Sequence, residues 1–173
     1  EVLRRAQQEV DEVLGGRPVE EASQLEQLQF LRQCYQEAMR MYPPATVVHR
    51  TAARDTELGG FFIPKGTVVG CCIAALHADA EVFPDPERYD PERFAPEAVA
   101  ARPSFTYMPF STGMRGCPGY RFATAEAMVA LATVLQRFDL AADASRTSMR
   151  PLVKFVNWIA DGVHLRVTPR QLG

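Results

Sequence analysis

The sequence predicts a mostly helical α+β fold with small β-sheets. Three observations predict it. Segments 1–14, 24–42 and 119–137 carry apolar residues at the 3.6-residue period of an amphipathic helix. Short β-rich runs bounded by Gly and Pro lie at 47–53 and 67–73. Residues 79–109 follow neither period and hold six prolines, with Pro118 just beyond.

Each element has its own local reason. "EVLRRAQQEVDEVL" is helical in period, and Gly15-Gly16 ends it. "Ser23-Gln-Leu-Glu26" has the form of a capping box that opens the second helix. That helix runs to about Tyr42, where Pro43 and Pro44 stop it. Within "ELGGFFIPKGTVVGCCI" the pair Gly59-Gly60 predicts a tight hairpin. Pro64-Lys65-Gly66 then turns the chain into a buried strand at 67–73. The segment 79–109 is too long to be a plain loop in a compact domain. Phe83, Tyr89, Phe94, Phe105, Tyr107 and, just after it, Phe110 predict a packed meander rather than a disordered one. In the last helix Phe122, Ala125, Met128, Val129, Ala132 and Leu135 share one face. The tail from Pro151 to Thr168 reads as a β-hairpin turning near Asp161-Gly162.

Composition narrows the function. A length of 173 residues fits one domain, and 47% hydrophobic residues are enough for a sizeable core. The net charge of -2 argues against nucleic acid as the main partner. The longest apolar stretch, Val68 to Leu76, falls short of the roughly 20 residues that cross a bilayer, so no membrane segment is expected in this chain. There is no signal-peptide pattern and no initiator Met, and the helical start reads like a cut through a longer protein. Richness in Ala and Arg points to a bacterial source; a bacterial source implies a cytoplasmic enzyme, a eukaryotic one a membrane anchor in the part of the protein before this chain. The four cysteines, Cys34, Cys71, Cys72 and Cys117, form no CxxC pair, so neither a zinc site nor a disulfide framework is implied. Cys34, Cys71 and Cys72 read as small buried hydrophobes, the last two on opposite faces of one strand.

Cys117 is different. It sits in "FSTGMRGCPG", among Gly113, Gly116 and Gly119, with Arg115 before it and Pro118 after it. A proline there suits the first turn of a helix, which would put the sulfur at a helix N-terminus. Free N–H groups and the nearby Arg115 would favour the thiolate. The glycines permit close approach of something flat and large. A thiolate presented in this way is either a nucleophile or a metal ligand. The three histidines, His49, His77 and His164, fall in no recognisable nucleophile signature.

The spacing Phe110-x-x-Gly113-x-Arg115-x-Cys117-x-Gly119 would arise by chance about once in 10⁷ positions. It resembles the haem-binding loop of the cytochrome P-450 family of haem-thiolate monooxygenases. Two further motifs carry the same resemblance. "Glu37-Ala-Met-Arg40", followed by "RMYPP", is similar to the family's Glu-x-x-Arg helix, and Pro91-Glu92-Arg93-Phe94 is similar to its meander motif.

The resemblance implies that residues 1–173 are the C-terminal, proximal part of one haem-thiolate monooxygenase domain. It implies haem b as cofactor, with Cys117 as the iron ligand and Phe110, Gly113, Arg115 and Gly119 around it. Cys-ligated haem is the ligation known for this family. Arg50, with Arg115, would contact the propionates, and His49 either joins them or caps its strand. Glu37, Arg40 and Arg93 would form a structural triad pinning the meander. Ala45, Thr46, Val47 and Val48, with Asn157 and Trp158, would line a substrate pocket. His77 would be structural and His164 a solvent-face residue. The implied activity inserts one oxygen atom from O2 into a small apolar organic substrate. A ferredoxin or flavoprotein reductase would supply electrons, with Arg115 and Arg121 as docking contacts. The alternatives are a non-catalytic haem-binding fragment and a haem-thiolate peroxygenase or isomerase. This fragment alone is expected to be inactive.

Overall fold

The computed structural model describes residues 1–143, 145, 151–153, 156–160 and 162–171. The chain begins with three helices: α1 (Val2–Leu14), α2 (Ala22–Gln27) and α3 (Gln29–Met41). Strands β1 (Val47–Thr51), β2 (Thr56–Leu58), β3 (Phe61–Ile63) and β4 (Val68–Cys72) follow. Next come α4 (Ile73–His77), a 3-10 turn over Pro91–Phe94 and α5 (Pro96–Ala101). The long helix α6 (Tyr120–Arg137) leads into β5 (Phe138–Ala142), β6 (Pro151–Val153), β7 (Asn157–Ile159) and β8 (Leu165–Pro169).

The main core lies where α1, α2, α3 and α6 meet. Ala6, Val10 and Leu14 of α1 pack with Leu25, Leu28, Phe30, Leu31 and Cys34, and with Met128, Ala132 and Leu135 of α6. Helices α1, α3 and α6 contribute positions three or four apart, the spacing that places side chains on one face. Polar groups close the end of this core. Gln7 donates to the carbonyl of Phe138 at 3.1 Å, and Arg170 donates to that of Leu135 at 2.7 Å. These bonds satisfy carbonyls that the end of α6 would otherwise leave open.

All the sheets are two-stranded and antiparallel: β1 with β4, β2 with β3, β5 with β8 and β6 with β7. The β2–β3 hairpin turns through Gly59 (φ 57°) and Gly60 (φ 83°). Two successive positive φ angles make the type I′ turn that suits strand twist, and glycine adopts them without a Cβ clash.

Five expectations need correction. The predicted helix 24–42 is two helices broken at Leu28, and the cap at its start is Glu21 paired with Gln24, not Ser23 with Glu26. The run 67–73 is not buried: in β4 only Val69 is even half-covered, and Cys71 and Cys72 are exposed. The chain turns helical already at Ile73, which is buried. Phe122, assigned to the core face of α6, is 74% exposed. The tail is not a single hairpin, because β8 pairs with β5, which precedes it by over twenty residues, and β7 pairs with β6. Of the turn expected there, Gly162 has φ 73° and donates its N–H to Ile159, while Asp161 lies outside the described residues.

Candidate functional site

The site is built from α3 outward. Glu37 is completely buried, and its carboxylate meets Arg40 three residues on in a two-pronged contact. Arg40 Nε donates to Oε2 at 2.7 Å and Nη2 to Oε1 at 2.9 Å. The 3-residue helical spacing puts both side chains on one face, and the planar guanidinium matches the carboxylate fork. Arg40 also donates to the carbonyls of His77 at 2.9 Å and Pro86 at 2.7 Å. Arg93 Nε stands 3.4 Å from Glu37 Oε1, an ion contact without hydrogen-bond alignment, and its Nη2 reaches the Asp85 carbonyl at 3.0 Å. The Asp90 N–H supplies a further bond to Glu37 Oε1 at 2.9 Å. Thus Glu37, Arg40 and Arg93 come together. A buried charge pair is tolerable only when its remaining valences are filled, as they are here by main-chain groups of the meander.

The meander has further anchors that sequence reasoning missed. The Tyr89 hydroxyl donates to the Cys34 carbonyl at 2.9 Å, and that of Tyr107 to the Gln36 carbonyl at 3.0 Å. Burial raises both phenol pKa values. Arg102 lies over the rings of Phe83 and Phe94, each 4.7 Å away, and donates to the Arg93 carbonyl. The aromatic richness of 79–109 signalled a packed segment, but no sequence pattern says which main-chain carbonyl a tyrosine will find. His77 is buried, as its structural assignment requires.

The segment then runs into the cysteine loop. Ser111 N–H bonds the Met108 carbonyl at 3.0 Å, and Cys117 N–H bonds the Phe110 carbonyl at 2.9 Å. Between them the chain passes through Gly113 (φ 70°), a left-handed position that favours glycine. Cys117 is exposed. It is not in the first turn of the following helix, since α6 begins at Tyr120 and Gly119 is its N-cap. Pro118 therefore shapes the loop rather than the helix. An open cavity of about 940 Å³ adjoins the sulfur, lined by Phe110, Gly113, Gly116 and Cys117 from the loop, Tyr35 and Gln36 from α3, and Thr124 and Ala125 from α6. Cys34 contrasts with Cys117: burial pushes its thiol up to about 11, which keeps it an inert core residue.

The other expected residues are spread more widely. Arg115 is exposed and, like Gly119, stands outside the cavity lining. His49 and Arg50 are exposed on β1, successive on the strand and therefore on opposite faces of the β1–β4 ribbon. Gly70 lies opposite His49, where a Cβ would sit about 3.4 Å from the imidazole. Ala45, Thr46, Val47 and Val48 do not line the cavity by the cysteine. They lie near the β6–β7 hairpin instead: Asn157 N–H bonds the Pro44 carbonyl at 2.7 Å, which brings the two expected pocket segments together. The side chain of Trp158 lies outside the described residues.

The donor set fits haem. Among the described residues no cluster of three His, Cys, Asp or Glu could hold a bare metal ion. One soft sulfur beside an open cavity would suit an iron that carries most of its own ligands and takes one from the protein.

The comparisons agree with this geometry. The family model for Cytochrome P450 matches residues 1–159. Leukotriene-B4 omega-hydroxylase 3 of Mus musculus is 40% identical over 176 residues, covering 100% of this chain and 33% of the relative. Cytochrome P450 4B1 of Homo sapiens is 36% identical, covering 95% of this chain and 32% of its own length. The solved structure of retinoic acid bound cyanobacterial CYP120A1 superposes with a TM-score of 0.89 at 30% identity, over 98% of this chain and 38% of that one. The chain spans about a third of the length of the curated relatives it matches. It belongs to the cytochrome P450 family, whose members bind haem b, iron protoporphyrin IX, as cofactor.

Proposed function

We propose that residues 1–173 are the C-terminal part of a haem-thiolate monooxygenase domain, and that Cys117 is its axial iron ligand. The observation that carries this reading is the exposed thiol at the end of a loop fastened to the buried Glu37–Arg40 pair through the meander. The bound haem supplies the chemistry of oxygen activation, which thiolate ligation favours. Everything else is the work of the chain. Phe110 would shield the sulfur, and Gly113 and Gly119 would let the loop come close to the bound haem. Arg50 and Arg115 would bind the propionates; His49, on the opposite face of β1 from Arg50, would not share Arg50's contact. Arg–carboxylate pairing suits such contacts.

The substrate is a small apolar organic molecule. The names of two relatives, a leukotriene-B4 omega-hydroxylase and a retinoic acid bound structure, support that class. Ala45, Thr46, Val47 and Val48 line its site together with Asn157 and Trp158. Electrons come from a ferredoxin or flavoprotein reductase that docks near Arg115 and Arg121, both exposed cations. No helix among the described residues is long and apolar enough to cross a membrane. Curated relatives from mouse, rat, human and fruit fly lend no support to the bacterial source expected from composition.

The test uses the full-length protein. Its ferrous carbon monoxide complex gives the red-shifted band characteristic of thiolate-ligated haem, and Cys117→Ser abolishes it, because an alcohol cannot donate as a thiolate does. A band that survives the substitution rejects Cys117 as the ligand. Product formation that requires O2 and reductant supports the monooxygenase; turnover with peroxide alone, or with neither, rejects it in favour of a peroxygenase or isomerase.

A further inference from the structure

We propose that His77 is a positioning residue for Cys117: as a neutral imidazole it holds Met108, and through Met108 the entry to the cysteine loop, against the Arg40 end of α3. The inference rests on Cys117 as the haem ligand.

Hydrogen-bond polarity fixes the ring. Met108 N–H donates to His77 Nε2 at 2.9 Å, so Nε2 must present its lone pair. The ring proton then sits on Nδ1, which lies 3.2 Å from the Arg40 carbonyl and donates to it. Arg40 returns a bond from Nη1 to the His77 carbonyl at 2.9 Å. Tyr107 stacks on the ring at 5.1 Å and 25°. Each face and edge of the imidazole named here has a defined partner.

The connection to the sulfur is short. Met108, held by its N–H, accepts Ser111 N–H at its carbonyl, and two residues on Phe110 accepts Cys117 N–H. Three hydrogen bonds, two of them main chain to main chain, thus lead from the imidazole to the amide of the cysteine. An apolar residue at 77 would leave the Met108 N–H without its acceptor in a part-buried place. Glutamine would keep an acceptor there.

A second ring proton would set Nε2–H against Met108 N–H, donor against donor. The charged and titratable groups around the ring are Arg40 from α3, Arg102 just beyond α5, and Tyr107, with Glu37 one step further away on Arg40. Burial first, then the positive charges of Arg40 and Arg102, lower the His77 pKa to about 4, although the Arg40 carbonyl bond opposes the shift. The ring therefore stays neutral until the solution is strongly acidic.

The experiment follows the ferrous carbon monoxide spectrum of the haem-loaded, full-length protein from neutral pH downward. Wild type should lose the thiolate band as the pH nears about 4, where His77 takes its second proton. His77→Gln should keep the band at neutral pH and lose it only at lower pH than wild type. His77→Leu should lose most of the band at neutral pH even where haem is incorporated. A full neutral band in His77→Leu overturns the inference, and so does an acid midpoint in His77→Gln equal to that of wild type. Where His77→Leu yields no folded holoprotein, the shift in His77→Gln decides. Cys117→Ser in the same series separates the two readings. If it keeps the band, the ligand assignment fails and the inference with it; if it loses the band while both His77 variants match wild type, only the positioning role fails.

Discussion

The two halves of α3 pack against different partners and are held by different physics. Its first half, Phe30, Leu31 and Cys34, enters the apolar core with α1 and α6. Its second half, Glu37 and Arg40, enters an equally buried place in which nearly every contact is a charge or a hydrogen bond. The apolar half needs only a stripe of the right width on each neighbour, and burial of hydrocarbon is non-directional. The polar half must meet particular atoms, because a buried charge or N–H without a partner costs far more than an imperfect hydrocarbon contact. The consequence lies in what each can hold in place. A helix packs on a stripe; an irregular chain of some thirty residues has no stripe, and is fixed here by groups such as Glu37, which takes the Asp90 N–H and the Arg93 guanidinium at once.

The sharpest way to break this comparison is to cut each half once in the full-length protein. Glu37→Ala leaves Arg40 buried without its carboxylate, a loss of about 3–5 kcal/mol, and it should abolish haem incorporation as the meander comes away. Leu31→Ala should cost about 2–5 kcal/mol through the cavity it leaves, yet the surviving folded protein should still take up haem. Thermal melts and haem content, measured together, check the pair. Equal haem retention in both variants would erase the distinction between the halves.

A pH series sharpens the same contrast. His77 has a depressed pKa in the fold, about 4 against an unfolded value of about 6.5. As pH falls below about 6.5 the unfolded chain binds a proton that the native one refuses, so this group's contribution to stability is lost between about 6.5 and about 4. Thermal stability should decline over that window. The decline should persist in Leu31→Ala and flatten in His77→Gln; an unchanged slope in the latter would assign the acid sensitivity elsewhere.

Arg93 tests whether the triad depends on charge or on shape. Arg93→Ala should be milder than Glu37→Ala, since Arg40 still fills both carboxylate oxygens. Arg93→Lys should recover little of the loss, measured by melting temperature and haem content, because an ammonium cannot both face Glu37 and reach the Asp85 carbonyl as the guanidinium does. The smallest effect is expected at Tyr89→Phe. It removes one hydroxyl bond to the Cys34 carbonyl and should cost about 0.5–1.5 kcal/mol of stability without changing the haem spectrum.

Local rules were legible in the sequence. The helical periods read at 1–14, 24–42 (but for its break at Leu28) and 119–137, the stop at Pro43-Pro44 and the Gly59-Gly60 hairpin all depend on residues within a turn or two of each other, so the sequence contains their causes. The family resemblance implied that Cys117 is the haem ligand and that Glu37, Arg40 and Arg93 form a triad. Glu37 and Arg40 pair by helix geometry alone; Arg93 reaches them from more than fifty residues away.

Tertiary structure decided the rest. Leu28 interrupts what the period reads as one helix: its backbone (φ -80°, ψ 65°) is outside the helical range, and Glu9 from α1 accepts the N–H groups of Phe30 and Leu31 at 2.8 Å, capping the new helix. Strand β4 looks buried by composition, yet its two-stranded ribbon leaves Val68, Cys71 and Cys72 exposed in this chain. Strand β8 takes β5 as its partner rather than the strand just before it, a choice that alternating apolar residues cannot encode because pairing register says nothing of which edge is free. Above all, sequence could not name the His77–Met108 bond. Hydrogen-bond partners of irregular backbone are set by where the chain lies after packing, whereas helix, turn and cap are set by neighbours along it.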